Sequence, residues 1–308
     1  AMVYPRITSD FDLDLEGCNP LSISTVNNSI GAESYKWDLG DGNTTNLKQP
    51  VHIYKNFSNT QTVSFTISLK TTSFYGCTAF KDSIVTIFPN PKAEFSVDKS
   101  ASCSPFNVEI SNISVGATMY NWYFNDGQTY QSTSQDDFKH IYYNTSGVTQ
   151  SKEIMLVARN PQGCRDTVTK IINIYHEAVA QFSGNFVGCE PLNVEFKNES
   201  KFAGKYEWDF GDGDFTTVQD PTHYYNNPQS TTIQYNARLI ATSPYNCKDT
   251  AQTQVTVYAS PDADFDVNPK KQVFPSSDIG QAVVAISDKT SPGQWEYVWD
   301  FGDGTSSN

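Results

Sequence analysis

The stretch Trp208-Asp209-Phe210-Gly211-Asp212-Gly213 decides the fold, because the chain carries three more versions of it. These are Trp37-Asp38-Leu39-Gly40-Asp41-Gly42, Trp122-Tyr123-Phe124-Asn125-Asp126-Gly127 and Trp299-Asp300-Phe301-Gly302-Asp303-Gly304. A tyrosine shortly precedes each tryptophan (Tyr35, Tyr120, Tyr206, Tyr297). Alternate large residues fall on one face of an extended strand, so tyrosine, tryptophan and the following Leu or Phe are placed to enter a core. The Asp-Gly that follows is turn chemistry: glycine adopts positive φ without strain, and the aspartate side chain bonds to its own backbone. Asn125 replaces a glycine in the second version and is the non-glycine residue that best tolerates that region. The reading is a strand, a turn and a strand around one buried tryptophan per unit.

The tryptophans are 85, 86 and 91 residues apart. That period is too long for a solenoid repeat and suits a small independent domain. Boundaries are expected at 4–89, 92–175 and 178–258, with 262–308 forming the N-terminal half of a fourth unit. Alternating strands such as Val63-Ser64-Phe65-Thr66-Ile67-Ser68-Leu69 recur, and no segment shows helical periodicity with caps, so the fold class is all-β. The linkers are four to six residues long, and two of the three contain proline (Pro89 and Pro91; Pro261). They predict an extended, semi-rigid rod. His176 falls in a linker and is read as solvated.

Lys and Arg number 21 against 34 Asp and Glu, a net charge of −13, which removes nucleic-acid binding as a function class. No apolar run is long enough to span a membrane, and the N-terminus has no signal-peptide pattern. Ala1-Met2 reads as an expression remnant on an internal fragment, with any targeting signal outside this sequence.

Cysteines fall two per unit: Cys18 and Cys77, Cys103 and Cys164, Cys189 and Cys247. The first of each pair opens a Cys-x-Pro. Six cysteines allow 15 pairings; repeat symmetry favours the three within units, and Val273 stands where a fourth first cysteine would be. A closed loop of such length is expected to stabilise each domain by about 4 kcal/mol and implies an oxidising, exported environment. Six buried free thiols are the alternative, and no Cys-x-x-Cys spacing suggests zinc.

Tyr-x-Trp-Asp-Phe-Gly-Asp-Gly followed by Pro-x-His-x-Tyr resembles the PKD (polycystic kidney disease) repeat domain. The third unit matches best through Pro221-Thr222-His223-Tyr224-Tyr225, the first through Pro50-Val51-His52-Ile53-Tyr54, and the second through a proline-less Phe138-Lys139-His140-Ile141-Tyr142. The resemblance implies immunoglobulin-like β-sandwiches that are extracellular and non-catalytic.

The candidate sites are few. Trp37, Trp122, Trp208 and Trp299 are core candidates; Asp41, Asp126, Asp212 and Asp303 are turn candidates. His52, His140 and His223 are read as satisfied by a neighbouring loop, since one histidine per unit makes no ligand set or triad. Asp212 and Asp214 are weak calcium candidates, with turn capping preferred. No other cofactor is expected. No nucleophile elbow, zincin helix, P-loop or dinucleotide fingerprint occurs.

The resulting expectation is a non-catalytic stalk or adhesion segment of a large exported surface protein, meeting extracellular protein or polysaccharide surfaces and its own neighbouring domains. The alternative is an accessory array of a secreted polysaccharide- or protein-degrading enzyme, for which Tyr142-Tyr143 and Tyr224-Tyr225 are the carbohydrate candidates. The Cys-x-Pro-Leu opening (Cys189 to Leu192) resembles the gliding-motility and type IX-secreted surface proteins of the Bacteroidota, which implies the outer-membrane surface of a Gram-negative bacterium. Asp82-Ser83, Asp166-Thr167 and Asp249-Thr250 resemble O-glycosylation acceptors of such proteins, which makes Ser83, Thr167 and Thr250 candidates. A turn-capping aspartate before a strand-favouring residue explains the same pattern.

Overall fold

The computed structural model describes residues 6–271, 283–290 and 296–307. The chain divides into two compact units, Ala1–Tyr175 and His176–Asn308. The described residues contain strands and no helix. The first repeat shows how the sequence builds its sandwich. Its strands are β1 (Phe11–Asp12), β2 (Glu16–Cys18), β3 (Leu21–Ser24), β4 (Val26–Asn27), β5 (Ser34–Asp38), β6 (Thr44–Thr45), β7 (Val51–Tyr54), β8 (Val63–Thr72) and β9 (Thr78–Phe88). One sheet runs β2-β9-β8-β5-β6, and the facing layer consists of the β3-β7 and β1-β4 ladders. All pairings are antiparallel except β2 with β9, which places Cys18 opposite Phe88. In β8 the alternation read from the sequence puts Ile67, Leu69 and Thr71 inside and Ser64, Thr66 and Lys70 outside.

The second and third repeats keep this plan, with five-stranded sheets whose interior holds the hairpins Gln150–Arg159 with Arg165–Tyr175 and Ile233–Thr242 with Lys248–Tyr258. Each repeat has its own core. Trp37, Trp122 and Trp208 are at most 1% exposed and anchor three separate clusters. A phenylalanine from the first strand packs edge-on against each: Phe11 on Trp37 at 4.9 Å, Phe95 on Trp122 at 5.2 Å and Phe182 on Trp208 at 5.0 Å. Such pairs add to the area term.

The fourth repeat has the same pair, Phe265 on Trp299 at 5.5 Å. Two ladders are described there, Phe265–Asn268 with Ala285–Asp288 and Trp299–Asp300 with Ser306–Ser307. Phe265 is 58% exposed, against 0% for Phe95, so this inner face is uncovered among the described residues. It forms an open hollow of about 970 Å³ lined by apolar residues such as Val267, Ile286 and Phe301 together with the acids Asp264, Glu296 and Asp300. Residue 4, where the first boundary was expected, and Val273 lie outside the described residues.

The cysteine pairing expected from repeat symmetry is corrected. Cys18 is bonded to Cys164, across two repeats, with Cα atoms 5.5 Å apart. Cys77 and Cys189 carry free, exposed thiols, while Cys103 and Cys247 are disulfide-bonded. Cys18–Cys77, Cys103–Cys164 and Cys189–Cys247 are therefore not formed. The reason is strand length. Cys18 sits beside the C-terminal end of β9, whereas Cys77 immediately precedes its first residue. Eleven extended residues separate them by roughly 35 Å, far beyond the about 7 Å a disulfide can bridge. The bond instead joins the end of the first sandwich to the facing end of the second.

His176 is also corrected: it is 8% exposed, with its ring against Phe202 at 5.3 Å and Tyr245 at 5.8 Å. The linker residues Ala93, Ala178 and Ala259 are likewise buried.

Trp208→Ala should destabilise the third repeat by about 3–5 kcal/mol through the cavity it leaves. A denaturant melt that loses less than about 1 kcal/mol would show that the indole is not a core element.

Candidate functional site

The residues singled out by the sequence converge at the turn after each central tryptophan, so that turn is the candidate site. In the first repeat Gly40 and Gly42 have φ of 79° and 91°, and a Cβ on Gly40 would lie 2.3 Å from the Thr66 carbonyl oxygen. In the second, Asn125 takes the same conformation at φ 56°. The turn brings the aspartate under the histidine two residues before the buried tyrosine. Asp41 Oδ1 accepts the Asn43 N–H at 3.1 Å, and its Oδ2 lies 2.6 Å from His52 Nε2. Asp126 joins Gln128 and His140 in the same way, and Asp212 joins Asp214 and His223. The histidine ring stacks on the turn aromatic, His140 on Phe124 at 3.9 Å and His223 on Phe210 at 4.0 Å. The next residue inward, Tyr54, Tyr142 or Tyr225, donates its hydroxyl hydrogen to the carbonyl of Leu39, Phe124 or Phe210 at 2.7–3.1 Å. Trp37 and Trp208 donate Nε1–H to Leu47 and Val218 carbonyls, both at 2.9 Å.

Electrostatically this is a clasp. Burial works against the Asp41 charge, but hydrogen bonds from His52 and Asn43 outweigh it and hold the carboxyl below its ordinary value. Burial, reinforced by Asp41 and Asp38, pushes Tyr54 up to about 12. Burial also raises Tyr142 and Tyr225, with Asp126 and Asp212 adding to it.

Asp212, Asp214 and His223 place one ligand atom each within 4.8 Å of the others. Both Asp212 oxygens already serve the turn, and Asp214 is replaced by Asn43, Gln128 and Thr305 in the other repeats. The turn's own hydrogen bonds hold Asp212 and His223 together, and Asp214 is the acid particular to the third repeat. In the fourth repeat Asp303 Oδ1 accepts the Thr305 N–H at 2.9 Å, so the capping half of the pattern persists there.

Other expected residues separate. Tyr142 and Tyr225 are buried at 2% and 0%, leaving Tyr143 and Tyr224 exposed, so neither tyrosine pair offers a coplanar platform. Thr167 and Thr250 are exposed near strand starts, but Ser83 does not share their position. It stands six residues after Cys77, not three as they stand after Cys164 and Cys247, and lies half-buried opposite the core residue Ile67. The aspartates before the threonines fasten the start of their own repeat: Asp166 accepts the Ala93 N–H and Asp249 the Ala180 N–H, both at 2.8 Å.

Sequence reasoning missed Asn56, Asn144 and Asn227, all buried. Each side-chain amide bridges its own loop to the last strand, at the carbonyls of Ile87, Ile174 and Val257. The signal was present, since each stands two residues after the His-x-Tyr tyrosine.

Residues 179–257 match the PKD domain family. The chain is similar to the PKD1 domain of the Vibrio cholerae metalloprotease PrtV, 29% identical over 27% of this chain and 98% of that one, with a TM-score of 0.23. It is similar to a 1.5-MDa bacterial ice-binding adhesin at 11% identity, over 82% of this chain and 98% of that one, TM-score 0.32. An I-band fragment of titin is 9% identical over 84% of this chain and all of that one, TM-score 0.44. The observed sandwiches are all-β, immunoglobulin-like domains, and the PKD match of residues 179–257 agrees with them; such domains fit a structural or adhesive role.

The buried tyrosines predict alkaline lability. Their folded pKa values lie above the unfolded value of 10.0, so the stability they lend is complete below pH 10 and is lost as pH rises through the folded value, about 12 for Tyr54. Tyrosinate absorbance should show an exposed set titrating first and a second set appearing only with unfolding. A single transition near the ordinary value would contradict this.

Proposed function

We propose that this chain is a non-catalytic stalk or adhesion segment of an exported cell-surface protein, holding a binding region away from the surface that carries it. The domains run over 4–89, 92–175 and 178–258, with 262–308 belonging to a fourth. The observation that carries this reading is that the recurrent polar residues are consumed within their own repeats, while the first two repeats are tied to each other covalently. The turn aspartate, the histidine and the buried tyrosine all have partners inside the fold. What is left to differ between such chains is length and junction stiffness. Disulfides fit an oxidising, extracellular compartment. The resemblance to gliding-motility and type IX-secreted proteins of the Bacteroidota supports an outer-membrane surface location.

A second reading, an accessory array beside a secreted degradative enzyme, is favoured by one observation: the PKD1 domain it is similar to belongs to a metalloprotease. Uninterrupted repeats weigh against it, because a spacer gains from each added unit and a docking module does not.

The stalk reading requires a rod. Solution scattering of one-, two- and three-domain versions should give a maximum dimension growing nearly in proportion to domain number, and a compact three-domain particle would overturn it. On the exposed surface of such a rod, Thr167 and Thr250 are the acceptors placed for an O-glycan, and Ser83 is not. Intact mass of the protein from its native host should show sugar that is lost in a Thr167→Ala, Thr250→Ala variant and retained in Ser83→Ala. An unmodified native mass would end the idea.

A further inference from the structure

We infer that Cys77 and Cys189 are the two open halves of a pole-to-pole clasp, each taking a disulfide partner from the facing pole of another repeat of this kind. The closed example is in the first unit. Cys18 ends β2 at the C-terminal pole of the first repeat, and Cys164 lies in the turn before Arg165–Tyr175 at the N-terminal pole of the second. The surfaces around that bond fit closely. Asn160, 3% exposed, donates to the Pro89 carbonyl at 2.9 Å and accepts the Cys164 N–H at 2.9 Å. Gly116, at φ 79°, lies so near the first repeat that a Cβ would sit 2.0 Å from the Asn59 carbonyl oxygen. Cys164 itself is 2% exposed.

The turn holding Cys77 is built the same way. Ser73 accepts the Cys77 N–H through Oγ at 3.1 Å, and its own N–H donates to the Cys77 carbonyl at 2.9 Å, as Asn160 N–H does to Cys164 at 3.0 Å. Yet Cys77 is exposed with a free thiol, and Phe74 beside it is 80% exposed. Cys189 in turn reproduces Cys18. It ends a short strand parallel to Lys248–Tyr258, opposite Tyr258 as Cys18 is opposite Phe88. The following N–H donates to the Tyr258 carbonyl at 3.0 Å, where Asn19 donates to Phe88 at 3.1 Å. It too is free and exposed. The free thiols are thus one of each kind, a socket of the Cys164 type and a socket of the Cys18 type, each displaying the geometry its bonded counterpart uses. The occupant of the Cys77 pole is the Cys-x-Pro pole of another repeat, and the occupant of the Cys189 pole is a Ser/Asn-x-x-x-Cys turn. Joining them forms one S–S bond and releases two protons and two electrons; a small disulfide such as oxidised glutathione accepts the electrons and leaves as two thiols, through a mixed disulfide.

The test is a tandem chain in which residues 11–308 follow residue 264, so that Phe11 of the second copy takes the place of Phe265. It is folded with oxidised and reduced glutathione, alkylated under native conditions, and mapped as non-reduced peptides. The expected result is a Cys189–Cys77 peptide at the junction, with the outer Cys77 and Cys189 still alkylated. Cys189→Ser in the first copy should return the junction Cys77 to full alkylation. Alkylation of both junction thiols in molecules whose Cys18–Cys164 bond is closed would overturn the inference, and so would a junction Cys77 that pairs with any other cysteine.

Discussion

The length of the last strand governs the covalent architecture. β9 and its counterparts run eleven residues, so the two cysteine positions of one repeat stand at opposite ends of its sandwich. No side-chain adjustment closes a gap of roughly 35 Å. A cysteine at each end is useless to its own domain and available to a neighbour. In the first unit this converts two adjacent sandwiches into one covalently tied pair, and the sequence separation of 146 residues makes it a long-range tie. In the chain-entropy account a loop of that size removes about 5 kcal/mol of freedom from the unfolded chain. That stabilisation belongs to the pair of domains together, because either one unfolding alone leaves the tie in place.

Within each repeat, polarity is spent on the turn. A buried tyrosine hydroxyl on the Leu39 carbonyl and an imidazole on the Asp41 carboxylate make two separate hydrogen bonds between the turn and the strand that carries the tyrosine. A histidine beside an aspartate invites a catalytic reading, yet here one oxygen of each carboxylate accepts a backbone N–H and the other holds the ring. The imidazole face is covered by Phe124 or Phe210 in the second and third repeats. The arrangement locks a hairpin whose glycines would otherwise let it wander.

Trp37, Trp122 and Trp208 were legible because a tryptophan, an alternating strand and a glycine turn each constrain the backbone locally, and four copies state the constraint repeatedly. Asn125 at φ 56° shows the same logic, since its replacement of glycine was readable as a demand for positive φ. The cysteine pairing was not legible. Near-equal spacings reported that the pattern repeats, not which copies are in contact, and pairing within a repeat satisfies the spacings as well as pairing between repeats. Only the three-dimensional length of β9 separates the two. His176 failed for a related reason: a histidine in a short linker looks solvated until the aromatic residues Phe202 and Tyr245, distant in sequence, are brought over it. Phe202 does this from φ 59°, a conformation unfavourable for a bulky residue, at the place where the second repeat has Gly116.

The pole-to-pole tie changes what the junction between the first two repeats can do. A single linker is a pivot, about which two rigid bodies swing in any direction. Here the linker leaves the first repeat at Phe88 and Pro89, and Cys18 lies directly opposite Phe88 in the parallel ladder. The second covalent route therefore leaves the same pole a strand's width away, and Cys164 is held 5.5 Å from Cys18, Cα to Cα. Two separated attachments leave only rotation about the line joining them. That remaining freedom is opposed by the close approach of Gly116 to Asn59 and by the buried bond from Asn160 to Pro89.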